Sequence, residues 1–187
     1  MSASADYVTV LPREHQETRG KIRTFTGRYV NPLKLRARDI CIEDIAHHLS
    51  LVCRYTGACP YHYSVAQHSV LVSADLLAYT GSRVMGLAGL LHDASEAYLN
   101  DIASPVKHSP QFAWYRKLDE DVTRMIYRVF GLDDALLAKT KAADDRAFFL
   151  EARTWWGGET AIFERTPRAA EAAFLQLFRE LGGKSIL

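Results

Sequence analysis

The chain predicts an all-α fold: a single helical bundle of roughly six main helices, preceded by a small N-terminal hairpin. Three observations carry that prediction. Apolar residues recur at three- and four-residue steps, as Ile42, Ile45, Ala46, Leu49 and Val52 do. Helix-start signals stand at Ser64, Ser82, Ser109-Pro110 and Thr166-Pro167, with glycines placed to end helices at Gly131 and Gly182-Gly183. Nothing in the second half alternates with the two-residue period of a strand.

Residues 1–20 are polar and lack a period, so they read as an arm, mobile or packed on a neighbour, leaving 21–187 as one domain. Lys21 to Phe25 and Tyr29-Val30 flank Thr26-Gly27-Arg28, a hairpin pattern that Asn31-Pro32 ends. The first helix is expected from Ile42 to about Arg54, with Gly57 and Pro60 as breakers. The second runs from Val65 to about Tyr79, and the third from Ser82 to about Leu99. A connection containing Pro105 leads to a fourth helix ending near Phe130. The fifth opens at Asp133 or Asp134 and reaches about Thr154. The last carries Phe174, Leu177 and Phe178, a stripe suited equally to a core or to a subunit interface.

At 187 residues the chain is long enough for a substantial core. A net charge of +1 gives no general attraction to nucleic acid or a membrane surface, so any anion site must be local. No apolar run reaches the roughly 18–20 residues that span a bilayer. The first 20 residues do not read as a secretory signal. Cys41, Cys53 and Cys59 form an odd set without a CxxC, expected of reduced thiols in a cytoplasmic protein. Cys53, Cys59 and His62 are too few and too widely spaced for structural zinc.

The chemistry concentrates in Leu90 to Lys107. Met85 to Leu91 is apolar on every side, which implies burial, and it runs directly into His92, Asp93 and Glu96. Buried carboxylates need a partner or a metal. His92 and Asp93 thus read as half a metal site, with Glu96 one turn away. His68 is the best third ligand, although alone it would read as a core histidine. Asp144 and Asp145 both qualify as a fourth, since each shares a helix face with apolar residues and periodicity does not separate them.

The order His68, His92-Asp93, Asp144, set in SVAQHS, LLHDASEAYLNDIASPVK and KAADDRAFFLEAR, resembles the HD-domain metal-dependent phosphohydrolase superfamily. It lies nearest the 5′-deoxyribonucleotidase branch and related phage dATP triphosphohydrolases, and the likeness covers most of residues 21–153. The resemblance implies Asp144 as the last ligand, because it stands seven residues before Glu151. Two imidazoles and two carboxylates suit one divalent ion per subunit (Mn, Co, Zn, Ni, Mg or Fe). Two-metal relatives need further ligands, and only His108 lies between Asp93 and Asp144 as a candidate. Glu96 would move the proton of the attacking water, with the plainer alternative that it steadies a ligand. The resemblance marks Arg54, Lys107 and Lys141 as phosphate contacts, and Asp101 as the reader of a sugar 3′-hydroxyl that leaves no room for a 2′-hydroxyl. Tyr55 stands where those relatives have tryptophan, and could stack on a base.

The function expected is hydrolysis of deoxynucleoside 5′-monophosphates to deoxynucleoside and phosphate. A triphosphohydrolase is the alternative, and a non-catalytic nucleotide-binding domain a further one. Homo-oligomers, dimeric or larger, are implied; a stable nucleic-acid or membrane partner is not. His15, His47, His48, His62 and His108 stay outside the site, with at least one of His47 and His48 expected at the surface. Trp155-Trp156 reads as packing or a subunit contact rather than a base platform.

Overall fold

The computed structural model describes residues 18–159, 162 and 164–184. The expected arm therefore lies outside the described residues except for a turn at 18–20. Among the described residues there are six helices of nine residues or more: α1 (Ile42–Leu51), α2 (Val65–Thr80), α3 (Arg83–Leu91), α4 (Ala113–Val129), α5 (Leu136–Trp156) and α6 (Pro167–Glu180). The hairpin forms from β1 (Ile22–Arg23) and β2 (Tyr29–Val30), antiparallel with Ile22 opposite Val30. The all-α expectation holds. Among the described residues, no helix is long and apolar enough to cross a membrane.

The helix starts follow from capping chemistry. Ser64 and Gln67 bond reciprocally to one another's backbone N–H groups, a capping box that opens α2. Ser82 accepts from Met85 N–H at α3, and Thr166 from Ala169 N–H at α6, satisfying donors that a first helical turn leaves open. Helices α2 and α3 pack side by side, with α5 against both and α6 across α1 and α2. Ile45, Leu49, Val65, Leu90, Leu91, Ile126, Phe174 and Phe178 fill the shared core, each no more than 2% exposed. That settles the stripe on α6: Phe174 and Phe178 face the core, with Leu177 packed against it.

Of the boundaries that differ from expectation, two build the site. Helix α1 stops at Leu51, because Val52 and Cys53 turn extended and Cys53 bridges to Ser64. Val65 N–H bonds to Val52 C=O at 3.0 Å and Arg54 N–H to Tyr63 C=O at 2.9 Å, pinning Arg54 beside the start of α2. Helix α3 ends at Leu91 instead of continuing to Leu99. His92 Nδ1 bonds Gly89 C=O at 2.8 Å, taking the carbonyl that Asp93 N–H would use in a continued helix. Residues 92–95 form a tighter turn with Ala94 N–H on Leu91 C=O, before one more helical turn at Glu96–Leu99. Asn100 ends it at φ 70°, ψ 157°, a costly conformation for a residue with a side chain.

His47 and His48 both lie half-buried, so neither is the exposed residue expected. His47 stacks on Phe25 and bonds Glu171, while His48 bonds Ala97 C=O and Phe25 N–H. Together they tie the hairpin to α1 and to the Glu96 turn.

Candidate metal centre

Four side chains from three segments converge. His68, on the second turn of α2, is fully buried, and His92 at the end of α3 is 8% exposed. Their ring centroids are 5.2 Å apart. Asp93 Oδ2 lies 3.2 Å from His92 Nε2 and 3.6 Å from His68 Nε2. From α5, Asp144 Oδ1 lies 3.1 Å from His68 Nε2 and 3.8 Å from His92 Nε2. His68, His92 and Asp93 form a group able to hold a metal ion, their donor atoms all within 4.8 Å of one another. The structure also separates the two aspartates: Asp144 faces the imidazoles, whereas Asp145 is turned outward to Lys141.

The outer nitrogens explain the ring orientations. His68 Nδ1 bonds Glu151 Oε1 at 2.6 Å, and His92 Nδ1 bonds Gly89 C=O. Each ring therefore donates from Nδ1 and turns Nε2 inward, as metal-ligating histidines do. Both Nε2 atoms are buried and have no hydrogen-bond partner. Burial disfavours a proton on His92, but Asp93 and Asp144 outweigh it and push its pKa up to about 10. Burial also opposes charge on both aspartates, and the histidines overcome it, holding them below the usual carboxylate range. Two imidazoles and two carboxylates converging in this way are a donor set that fits a divalent cation.

Around it stands a ring of polar groups. Glu96 is 5% exposed, with Oε2 buried and unpartnered. Burial first, then Asp93 and Asp101, hold its pKa well above the ordinary glutamate value. Lys107 Nζ lies 3.8 Å from Glu96 and 2.7 Å from Asp119, and Asp119 in turn accepts from Ser95 Oγ. Asp101 is partly buried, and feels Arg54, Asp93 and Lys107. Arg54 has only 13% of its side chain exposed and reaches Glu151 Oε2 at 3.0 Å and Asp93 Oδ2 at 3.8 Å. Tyr55 donates its hydroxyl to the same Glu151 Oε2. Lys141, 68% exposed, bonds Asp144 and Asp145 at the rim.

Every expected site residue thus falls at or around one cluster, and three further residues join it. Tyr63 donates to Glu151 at 2.8 Å, and Asp119 and Ser95 brace Lys107. Glu151 was legible only as a spacing from Asp144; its role as a shared acceptor was not. Asp119 carried no sequence signal beyond that of an ordinary helix carboxylate.

Fold and site together define an all-α bundle with a buried His–His–Asp group able to hold a metal ion. No family model matches the chain. It is 40% identical over 136 residues to an uncharacterized protein of Rhodobacter capsulatus, an alignment covering 70% of this chain and 68% of that protein. It is 36% identical over 123 residues to the uncharacterized protein YfdR of Escherichia coli (strain K12), covering 66% of this chain and just under two thirds (65%) of that protein's length. The chain belongs to the family of the Rhodobacter capsulatus protein.

Proposed function

We propose that the protein is a metal-dependent phosphohydrolase of the HD-domain kind, cleaving deoxynucleoside 5′-monophosphates into deoxynucleoside and orthophosphate. One observation carries the reading: two buried imidazole Nε2 atoms, neither making a hydrogen bond, face Asp93 and Asp144 across a small space. His68, His92, Asp93 and Asp144 would hold the divalent ion, which supplies a Lewis acid for the phosphoryl oxygens.

The chain's own groups do the rest. Arg54 and Lys107, both largely buried, offset the negative charge that grows on the non-bridging oxygens. Water attacks phosphorus as the ester P–O bond breaks. Glu96 takes the water's proton and returns it to the departing 5′-oxygen, a task suited to a carboxylate whose pKa burial raises well above the ordinary glutamate value. Asp101 accepts the 3′-hydroxyl. Lys141 stands at the rim, where it meets the outer part of a substrate.

The test is a panel of deoxy- and ribonucleotide mono-, di- and triphosphates with several divalent metals, the products resolved by chromatography. Orthophosphate plus deoxynucleoside is expected. Triphosphate plus nucleoside would make the protein a triphosphohydrolase, and nucleotide binding with no product at all would overturn the enzymatic reading. Glu96→Ala should retain its metal and lose about 10²–10⁴-fold in turnover; a metal-loaded variant that turns over normally removes Glu96 from the mechanism.

A further inference from the structure

A net charge of +1 conceals an uneven distribution. Residues 19–38 hold seven cations, five arginines and two lysines, and no acid, so the rest of the chain carries −6. The seven lie on and beside the β1–β2 hairpin; six are exposed and Arg28 is half-buried. Among the described residues, Arg36 alone of the seven forms a salt bridge, to Asp39. Strand register fixes which way the hairpin looks. Val30 enters the core, so its partner Ile22 shares that face, and the pair Arg23 and Tyr29 looks outward. Lys21, two residues before Arg23, extends the outward face. Tyr29 is 50% exposed and Phe25, in the turn, 54%. One face of the Phe25 ring lies on His47 at 3.8 Å and 13°, which leaves the other face open. The platform is rigid. Thr26 donates from its N–H and its hydroxyl to Asp44, a fully buried carboxylate of α1, and Phe25 N–H donates to His48. Of the four strand residues only Val30 joins the core, yet a buried carboxylate and two histidines hold the turn in place.

We infer that the outer face of this hairpin docks single-stranded nucleic acid, with Lys21 and Arg23 on backbone phosphates and Tyr29 and Phe25 stacked on unpaired bases. The inference stands apart from the nucleotidase reading and needs no metal. Charge alone calls for an anionic partner. The excess of arginine favours phosphate, which a guanidinium grips with two parallel hydrogen bonds. Open aromatic rings among the cations add a surface for bases, and every base has a π-face to offer. A base laid on Phe25 would extend the stack that His47 begins. Duplex bases are already stacked on one another and would leave both rings unused. An anionic bilayer would answer the charge, but insertion needs rings free to leave the protein surface, and Phe25 is held flat on His47.

The test is fluorescence anisotropy of a labelled oligodeoxythymidylate of about 20 nucleotides, long enough for one such surface. It uses the full chain at several salt concentrations, with chelator present so that the metal cluster takes no part. The single strand should bind, and log affinity should fall against log salt with a slope of about −0.7 for each phosphate contacted. Lys21→Ala combined with Arg23→Ala should weaken binding and make that slope shallower by about 1.4. Tyr29→Ala should weaken binding about tenfold and leave the slope unchanged, as loss of a stacked base does. Lys117→Ala, which removes an exposed cation of α4, should do neither. If Tyr29→Ala disturbs the hairpin, Lys21 and Arg23 still decide, since both side chains face solvent. Unchanged affinity in the Lys21 and Arg23 variant overturns the proposal, and so does a failure to bind at low salt. Equal affinity for a duplex of the same length overturns the stacking role of the rings. Capture by vesicles of phosphatidylglycerol and phosphatidylcholine without any oligonucleotide binding overturns it as well, and gives the face to a membrane surface.

Discussion

Glu151 is buried completely and still holds its charge, because four donors from separate parts of the chain close on its two oxygens. His68 Nδ1 and the Tyr63 hydroxyl meet Oε1, while Arg54 and the Tyr55 hydroxyl meet Oε2. Burial alone would raise its pKa; the His68 bond and the Arg54 charge overcome that and hold it at about 2, against 4.5 for a free side chain. A depressed pKa stabilises the fold above the unfolded value. That contribution is present above about pH 4.5 and is lost as pH falls from there through 2. At 1.36 kcal/mol per unit it amounts to roughly 3 kcal/mol. Urea unfolding at pH 7 and pH 3 should show the wild type losing more stability than Glu151→Gln, which cannot titrate; equal losses would mean that another group sets the acid limit. The same variant should bind the metal about 10–100-fold more weakly by calorimetry, since nothing else fixes the His68 tautomer. An unchanged affinity would show that α2 alone orients the ring.

At the scale of elements, the site depends on how closely α2 and α3 approach. A Cβ on Gly89 would meet Leu76 Cδ1 at 2.7 Å and the backbone Cα of Ser73 at 3.1 Å, so only glycine permits this spacing. Gly89→Ala should destabilise by about 1–3 kcal/mol in chemical denaturation, as overpacking does. It should also weaken metal binding, because His92 hangs from the Gly89 carbonyl and His68 lies on the opposing helix. Ser82→Ala, which removes only the α3 cap, should cost about 1 kcal/mol and leave metal affinity alone. If both variants lose affinity alike, general loosening rather than helix spacing is responsible. The helices themselves were legible, since caps at Ser64, Ser82 and Thr166 and the apolar period of α1 act within a few residues. The break at 92–95 was not, because the His92 side chain takes a backbone acceptor, and hydrophobic patterning does not register that competition. Nor could period choose between Asp144 and Asp145. Adjacent residues on one helix differ by about 100°, and only the placement of α2 and α3 beside α5 shows which of the two looks inward.

At the scale of the whole molecule, the candidate ligands tie together α2, the turn after α3, and α5, segments separated by up to 76 residues of chain between His68 and Asp144. An ion bound by all three favours the folded state alone. At a hundredfold excess over its dissociation constant this adds about 2.7 kcal/mol. For a chain of this size that corresponds to a rise of roughly 5–10 °C in Tm. A chelator should remove the rise, and Asp144→Asn should show little of it to begin with. The effect also has a direction in pH. Without metal, His92 carries a proton whose pKa is raised to about 10. That interaction stabilises the metal-free fold fully below the unfolded value near 6.5 and is lost as pH climbs through 10. A divalent ion must displace the same proton to reach Nε2, so binding releases it and tightens as pH rises. Between pH 6 and 9 the metal-dependent increment in Tm, followed by thermal unfolding with and without chelator, should therefore grow, while the Tm of the metal-free protein falls over the upper part of that range. An increment independent of pH would place the ion away from His92, and one that shrinks with pH would mean that the ion prefers the protonated cluster, which these ligands do not allow.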